Sequence, residues 1–171
     1  MIRQAAFVLL LLLAACQRVP DEPAQDASDS DTRGQVQRYV FGTTEGEELS
    51  AEGMRGRVTA LLFVTTFDLA SQLAAKQLNQ ALHTHTPRIN AGAVVLEAPK
   101  YAPLADVFRS SLKLSYPVAI ADLQLLVQNS TLGEVHSVPT LIIFDAQGRE
   151  VLRKYGAFTS EELDGWLTRA R

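Results

Sequence analysis

The chain has a single cysteine among its 171 residues, Cys16. Every position after it is therefore without a thiol. The body of the protein can form no internal disulfide. It also has no sulfur nucleophile for disulfide exchange or thiol peroxidase chemistry, both of which begin with a thiolate.

The sequence also lacks an apolar run long enough to cross a bilayer, which takes about 20 apolar residues. Residues 5–15 form an uncharged apolar stretch that follows Arg3 and ends in small residues. A short apolar run with these flanks is typical of a secretory signal peptide. We predict an export signal over residues 1–15.

An excess of positive charge is the third absence. Thirteen basic and fourteen acidic residues follow Arg33, and no basic stripe is evident. Nucleic acid is therefore not an expected partner.

The residues around the cysteine suggest how the chain is anchored. Leu13-Ala14-Ala15-Cys16 resembles the bacterial lipobox, in which cleavage leaves an N-terminal cysteine that carries several acyl chains. Several chains anchor a protein stably where a single one does not. The resemblance implies lipidation at Cys16 and a place in the cell envelope, facing the periplasm. The alternative is a plain signal peptide in which this cysteine is incidental.

Two further features bear on the anchor. Gln17 stands where many inner-membrane lipoproteins have Asp, which favours the outer membrane. Residues 17–35 contain five acids, two arginines and two prolines, and almost nothing large and apolar. Such a segment buries too little surface to offset the entropy of ordering it. We therefore predict that residues 16–35 form a lipidated cysteine with a flexible acidic linker.

Residues 36–171 are long enough for one domain with its own core. Continuous apolar runs predict buried strands, and apolar residues at helical spacing predict helices. In the first helix this stripe contains Leu69, Leu73, Leu78, Ala81 and Leu82. The predicted strands are 36–41, 47–49, 58–64, 93–96, 116–120, 141–144 and 150–155, and the helices are 68–83, 103–112, 123–129 and one that starts at Thr159.

This order predicts an α/β sandwich with a mixed central sheet flanked by helices. It also resembles the thioredoxin fold, and in particular the TlpA/ResA-like branch of envelope thiol-disulfide oxidoreductases. The matching pieces are Arg55-Gly56-Arg57-Val58, the segment 63–71, Tyr116-Pro117-Val118 with Asp122, the segment 135–140 with Pro139, the hairpin 144–151 and Gly156.

The chain departs from that family at the positions that carry its chemistry. The resemblance puts Asp68 in the place of the attacking cysteine and Ser71 in the place of the resolving one. Neither residue can exchange a disulfide. The first turn of a helix has free N–H groups, and Asp is a preferred N-cap. We interpret Asp68 as a helix cap, the alternative being a catalytic carboxylate.

A binding groove can outlast the loss of the thiols. In the family, the residue before a cis proline offers backbone hydrogen bonds to an extended partner chain, and here these positions are Val138 and Pro139. The resemblance implies a candidate peptide-binding groove of Phe67, Asp68, Val138 and Pro139. The alternative is that Pro139 serves only the fold.

Neither a metal nor a cofactor is expected. The three histidines, His83, His85 and His136, lack the cysteines that the family's copper carriers use. The glycines form no phosphate-binding pattern.

Two functions follow from these observations. The first is an envelope lipoprotein whose redox-inactive thioredoxin-like domain binds an envelope protein or peptide or acts in assembly. The alternative is a TlpA-like thiol-disulfide oxidoreductase relative with residual or altered enzymatic activity. We favour the first, a domain that is not an enzyme, because thiols are absent. A structural lipoprotein without a specific ligand is a third option.

Overall fold

A mixed sheet of five strands forms the centre of the computed structural model, which describes residues 34–171. The predicted signal peptide, Cys16 and nearly all of the predicted linker lie outside the described residues. The domain boundary at residue 36 stays a prediction.

The strands form two sheets. A small antiparallel hairpin consists of β1 and β2, and the five-stranded sheet has the order β5-β4-β3-β6-β7. The strands are β1 Val40–Gly42, β2 Glu48–Ser50, β3 Thr59–Val64, β4 Asn90–Val95, β5 Val118–Ile120, β6 Thr140–Phe144 and β7 Glu150–Tyr155.

The central strand is β3, as its sequence predicts. All six of its residues are buried, which suits a strand covered on both faces. It pairs in parallel with β4 and antiparallel with β6. The sheet is therefore mixed.

Helices cover one face, and the hairpin with a short helix covers the other. The helices are α1 Leu69–Thr84, α2 Ala102–Leu112, α3 Leu123–Asn129 and α4 Ser160–Arg169, with a 3-10 turn at Pro99–Tyr101. One buried cluster joins α1, α2 and α4 to the sheet. The other joins β1, β2 and α3 to its opposite face. The predicted α/β sandwich with a mixed sheet is confirmed.

Two strands begin three or more residues away from their predicted starts. Strand β4 begins at Asn90, three residues early, and includes Gly92, a residue that disfavours strands. A Cβ at Gly92 would lie 2.8 Å from Leu49 Cδ1, so the hairpin packs where a side chain would stand. Strand β1 begins at Val40 rather than at residue 36, because Val36 and Tyr39 make only isolated bridges.

One part of the predicted α1 stripe is wrong. Leu69 and Leu73 are exposed, whereas Leu78 is buried. The buried stripe consists of Ser71, Ala74, Ala75 and Leu78. Small residues at these positions let the helix lie close to the sheet, and the two leucines face away from it. No helix of residues 34–171 is long and apolar enough to cross a membrane.

Candidate functional site

The candidate site lies at the edge of the sheet where β3 ends and β6 begins. These strands are antiparallel, and Phe63 is paired with Thr140. The residues that follow β3 and those that precede β6 therefore leave the sheet at the same edge. This register places Phe67 and Asp68 at the same end of the domain as Val138 and Pro139.

Asp68 caps α1. Its backbone is extended, with φ −92° and ψ 127°. Its carboxylate accepts hydrogen bonds from the Ala70 backbone N–H, at 3.3 Å, and from the Ser71 backbone N–H, at 2.8 Å. These are two of the N–H groups that a helix leaves unpaired at its start. The predicted cap is therefore present in the structure.

Ser71 is fully buried and both functions of its hydroxyl are used. The hydroxyl donates to Asp68 Oδ2 at 2.8 Å and accepts from the Thr65 backbone N–H at 3.3 Å. It thus ties the end of β3 to the first turn of α1. Within residues 34–171 the proton acceptor that this hydroxyl contacts is the capping carboxylate.

The hydrogen bonds to Asp68 also set its charge. The Ser71 hydroxyl and then the Ser71 backbone N–H lower the pKa of the Asp68 carboxyl below its usual value. At neutral pH the group is a carboxylate and cannot donate a proton. In residues 34–171 its hydrogen-bond partners are Ala70 and Ser71 alone. The arrangement is that of a cap.

The segment between β3 and α1 is braced from the next strand. Glu97, just after β4, accepts from the Thr66 backbone N–H at 2.8 Å and from the Thr66 hydroxyl at 2.7 Å through the same Oε1. The carboxylate thus holds the backbone immediately before Phe67. Sequence reasoning missed this contact because the two residues belong to different strand ends.

Across the edge, Val138 and Pro139 are joined by a cis peptide bond. Pro139 is buried, and its carbonyl accepts from the Gly156 N–H at 2.8 Å. The Thr140 hydroxyl donates to the Ser137 carbonyl at 2.6 Å. No hydrogen bond within the described chain uses the backbone N–H or carbonyl of Val138. This residue therefore has one free donor and one free acceptor.

Exposed apolar side chains lie on the α1 side of the same edge. Phe67 is 81% exposed, Leu69 is 78% exposed and Leu73 is 52% exposed. Scattered exposed leucines are ordinary, but a phenylalanine this exposed beside two leucines on the first turns of one helix forms an apolar patch. We call these three residues the apolar rim. Sequence reasoning found Phe67 but assigned both leucines to the core.

The three histidines lie in separate local contacts. His83 Nε2 is 3.0 Å from the Ser115 hydroxyl, and His85 Nδ1 is 2.8 Å from Asp164 Oδ1. His136 Nδ1 is 3.5 Å from Glu134 Oε2. The part of the chain that the structure describes has no group of three or more His, Cys, Asp or Glu residues suited to a metal ion.

Solved structures show which fold this is. A thiol:disulfide interchange protein of the thioredoxin family from Chlorobium tepidum superposes with a TM-score of 0.69, over 81% of this chain and 96% of that one, at 16% identity. The chain has the thioredoxin fold. StoA from Bacillus subtilis matches with a TM-score of 0.59, 22% identity, and coverage of 75% and 95%. The exposed lipoprotein thioredoxin Etrx1 from Streptococcus pneumoniae matches with a TM-score of 0.64 at 17% identity, over 77% of this chain and 98% of that one.

At these identities the likeness establishes the thioredoxin fold alone. A scan against protein-family models finds no match, and a search of curated proteins finds none. Several of the structural neighbours are named as thiol:disulfide interchange proteins or as a disulfide oxidoreductase. These names agree with the alternative interpretation, a relative of such enzymes, better than with a redox-inactive binding module. The resemblance drawn from the sequence is confirmed as to fold.

Proposed function

We propose that this thioredoxin-fold domain binds an extended segment of an envelope protein at the edge between Phe67 and Val138, without exchanging disulfides. The observation that carries the proposal is the free backbone N–H and carbonyl of Val138, at the same edge as the apolar rim. An extended chain can pair with such groups and place its own apolar side chains on the rim.

The chemistry of the edge supports binding over electron transfer. Disulfide exchange needs a thiolate at the start of the helix. Here Asp68 occupies that place, and the Ser71 backbone N–H and hydroxyl each donate a hydrogen bond to Asp68 Oδ2 at 2.8 Å. The positive end of the helix, which can lower a thiol pKa, stabilises a capping carboxylate instead.

The bracing of the edge supports the same proposal. Glu97 fixes the backbone before Phe67, and the Pro139 carbonyl accepts a hydrogen bond from the Gly156 N–H. Both sides of the groove are thus held before any partner arrives. A preorganised groove loses less entropy on binding than a mobile one.

An envelope location fits the proposal. The sequence predicts an export signal with a lipid-attachment cysteine, and structural neighbours include a protein named as an exposed lipoprotein thioredoxin and one named as a secreted disulfide oxidoreductase. The partner would then be an envelope protein or peptide that the anchored domain reaches from the membrane. The outer membrane and the lipid anchor are parts of this proposal.

Site-specific photocrosslinking tests the groove. A benzoylphenylalanine at position 67 of the full chain, expressed in cells, should yield a discrete crosslinked protein. The same probe at Val151, which is also apolar and 44% exposed but lies near the other end of the sheet, should not. Val138→Pro removes the free N–H and should abolish the crosslink, whereas Val138→Ala keeps the backbone groups and should preserve it. The four proteins are the chain with the probe at position 67, that chain with Val138→Pro or with Val138→Ala, and the chain with the probe at position 151. Equal crosslinking by all four would refute the proposal.

The second candidate function is residual or altered enzymatic activity, and the thiol:disulfide interchange and oxidoreductase names of several structural neighbours favour it. Reduction of insulin disulfides separates it from binding alone. Turnover by a chain with Cys16→Ser, which has no thiol left, would establish the second candidate and exclude a purely redox-inactive domain.

A further inference from the structure

The opposite end of the sheet holds a feature that the proposed function does not use. Two adjoining clefts open there, near the starts of β3 and β4, with volumes of about 440 Å³ and about 550 Å³. Arg57, Arg88 and Ile89 line both of them. Arg57 lies just before β3 and Arg88 just before β4, so two different chain segments contribute a guanidinium to the same space. We call this region the far-end cleft.

The arginines of the far-end cleft lack acidic partners. Within residues 34–171 neither Arg57 nor Arg88 has an ion pair or a hydrogen bond from its guanidinium, and no Asp or Glu lines either cavity. By contrast, Arg109 pairs with Glu45 at 2.8 Å and Arg153 with Glu150 at 2.7 Å. The cleft therefore concentrates positive charge in a protein whose net charge is −3.

Further donors surround the two arginines. Arg171 lies on the wall of the larger cavity, where its guanidinium donates to the Thr86 carbonyl and is 3.3 Å from His85 Nε2. The Ser115 hydroxyl lies in the smaller cavity with His83. Asp164 lies beside this region and is hydrogen-bonded to His85 Nδ1 at 2.8 Å.

The walls between these polar groups are apolar. They are formed by side chains of α1 and of the loops at this end of the sheet, among them Leu82, Ile89, Tyr116 and Pro117 in one cavity and Val58 and Pro87 in the other. Both cavities are larger than a single small anion, and they adjoin. A matching ligand has an anionic head and an apolar or neutral body.

We propose that the far-end cleft binds an organic phosphate, with Arg57 and Arg88 holding the phosphate group. Guanidinium forks bind both carboxylates and phosphates. A carboxylate offers two oxygens in one plane, however, whereas donors that arrive from two loops suit the several oxygens of a tetrahedral phosphate. The phosphate can belong to a soluble ester or to a phospholipid headgroup.

The position of the cleft makes both sources accessible. The described chain begins at this end, where the Gly34 N–H donates to the Glu150 carbonyl at 3.1 Å and Gly56, in the wall of the larger cavity, bonds to Ala146 at 2.9 Å. The predicted linker joins the domain at this end, so the cleft can meet a membrane surface as well as soluble esters. The Phe67–Val138 edge lies at the other end of the sheet, so the two sites do not compete.

Calorimetric titration of the full chain in nonionic detergent micelles tests the proposal. The probes are inorganic phosphate, glycerol 3-phosphate, and micelles doped with phosphatidylglycerol. We expect glycerol 3-phosphate to bind with one site per chain. Arg57→Gln and Arg88→Gln should each weaken this binding about tenfold or more, as expected for the loss of a charge-assisted hydrogen bond. Arg38→Gln is the matched control, because Arg38 is exposed and lies away from the cleft.

The two sources give different results. If the headgroup is the ligand, micelles doped with phosphatidylglycerol displace glycerol 3-phosphate from the wild-type protein. The same micelles do not bind the arginine variants. If a soluble ester is the ligand, doping changes nothing. Lack of binding of all three probes would overturn the proposal. So would an equal loss in Arg38→Gln, or unchanged binding in both folded single variants, with circular dichroism reporting the fold.

Discussion

Asp68 Oδ2 accepts two hydrogen bonds from one residue, at 2.8 Å from the Ser71 backbone nitrogen and 2.8 Å from the Ser71 hydroxyl. The two positions that the thioredoxin-fold resemblance assigns to an attacking and a resolving cysteine thus contact each other directly. They close the first turn of α1 instead of presenting a nucleophile. The helix start retains its electrostatic character, but it stabilises a structural carboxylate.

Removal of this carboxylate should lower the stability of the protein, because the carboxylate serves as a helix cap. Asp68→Ala removes the cap and should lower the free energy of unfolding by about 1 kcal/mol. Asp68→Asn retains a good capping residue and should cost less. Urea denaturation of both variants measures the difference. An Asp68→Asn protein that loses an activity yet keeps its stability would reveal a catalytic carboxylate instead.

The same group should contribute to acid sensitivity. The Ser71 hydrogen bonds lower the folded-state pKa of Asp68, so the folded protein binds fewer protons here than the unfolded one. Asp68 therefore stabilises the fold above its unfolded pKa of about 4, and this contribution disappears as the pH falls through the lower folded value. The stability of Asp68→Asn should depend less on pH in this range. Identical pH profiles would contradict the assignment.

Restoring sulfur should restore chemistry. Asp68→Cys combined with Ser71→Cys replaces two side chains that already contact each other, Ser71 Oγ lying 2.8 Å from Asp68 Oδ2, and the thiol at the helix start should have a lowered pKa. We expect an internal disulfide by mass spectrometry after oxidation, and insulin reduction by the reduced protein. Ser71→Cys alone is the control and should do neither, provided that both proteins carry Cys16→Ser so that no other thiol is present. A double variant that folds but stays inert would show that the edge has diverged beyond its two missing cysteines.

A buried ion pair supports the loop that leads to Val138. Arg153 donates to both carboxylate oxygens of Glu150, at 2.8 and 2.7 Å, and also to the carbonyls of Leu132 and Glu134. Arg153→Met removes one member of a buried ion pair and should cost about 3–5 kcal/mol. Adding Glu150→Leu removes the other member and should recover part of the loss. Thermal and urea unfolding measure the stability of the single and the double variant. An Arg153→Met protein as stable as the wild type would refute the role of the pair.

The sequence predicts local features well, because they depend on neighbouring residues. Thr159 and Glu162 form the expected capping box, with hydrogen bonds of 3.1 and 2.8 Å, and the Asp68 cap follows the same logic. The buried run at β3 also identified the central strand. Each of these signals lies within a few residues along the chain.

What the sequence does not predict depends on packing between distant segments. Gly92 lies inside β4, where a Cβ would stand 2.8 Å from Leu49 of the hairpin, and no residue near Gly92 in the sequence indicates this contact. The exposure of Leu69 and Leu73 depends on which side of α1 meets the sheet. The far-end cleft joins Arg57 and Arg88 from separate loops, and only the fold brings them together.

Insulin reduction by the purified chain with Cys16→Ser, which removes the one thiol of the sequence, tests the central claim most directly, with a small thiol as the reductant. This chain should give no turnover above the background of the small thiol alone, while the same chain with Asp68→Cys and Ser71→Cys added should exceed it. Turnover by the Cys16→Ser chain would contradict the account, because it would demonstrate disulfide chemistry at an edge that has only side-chain oxygens.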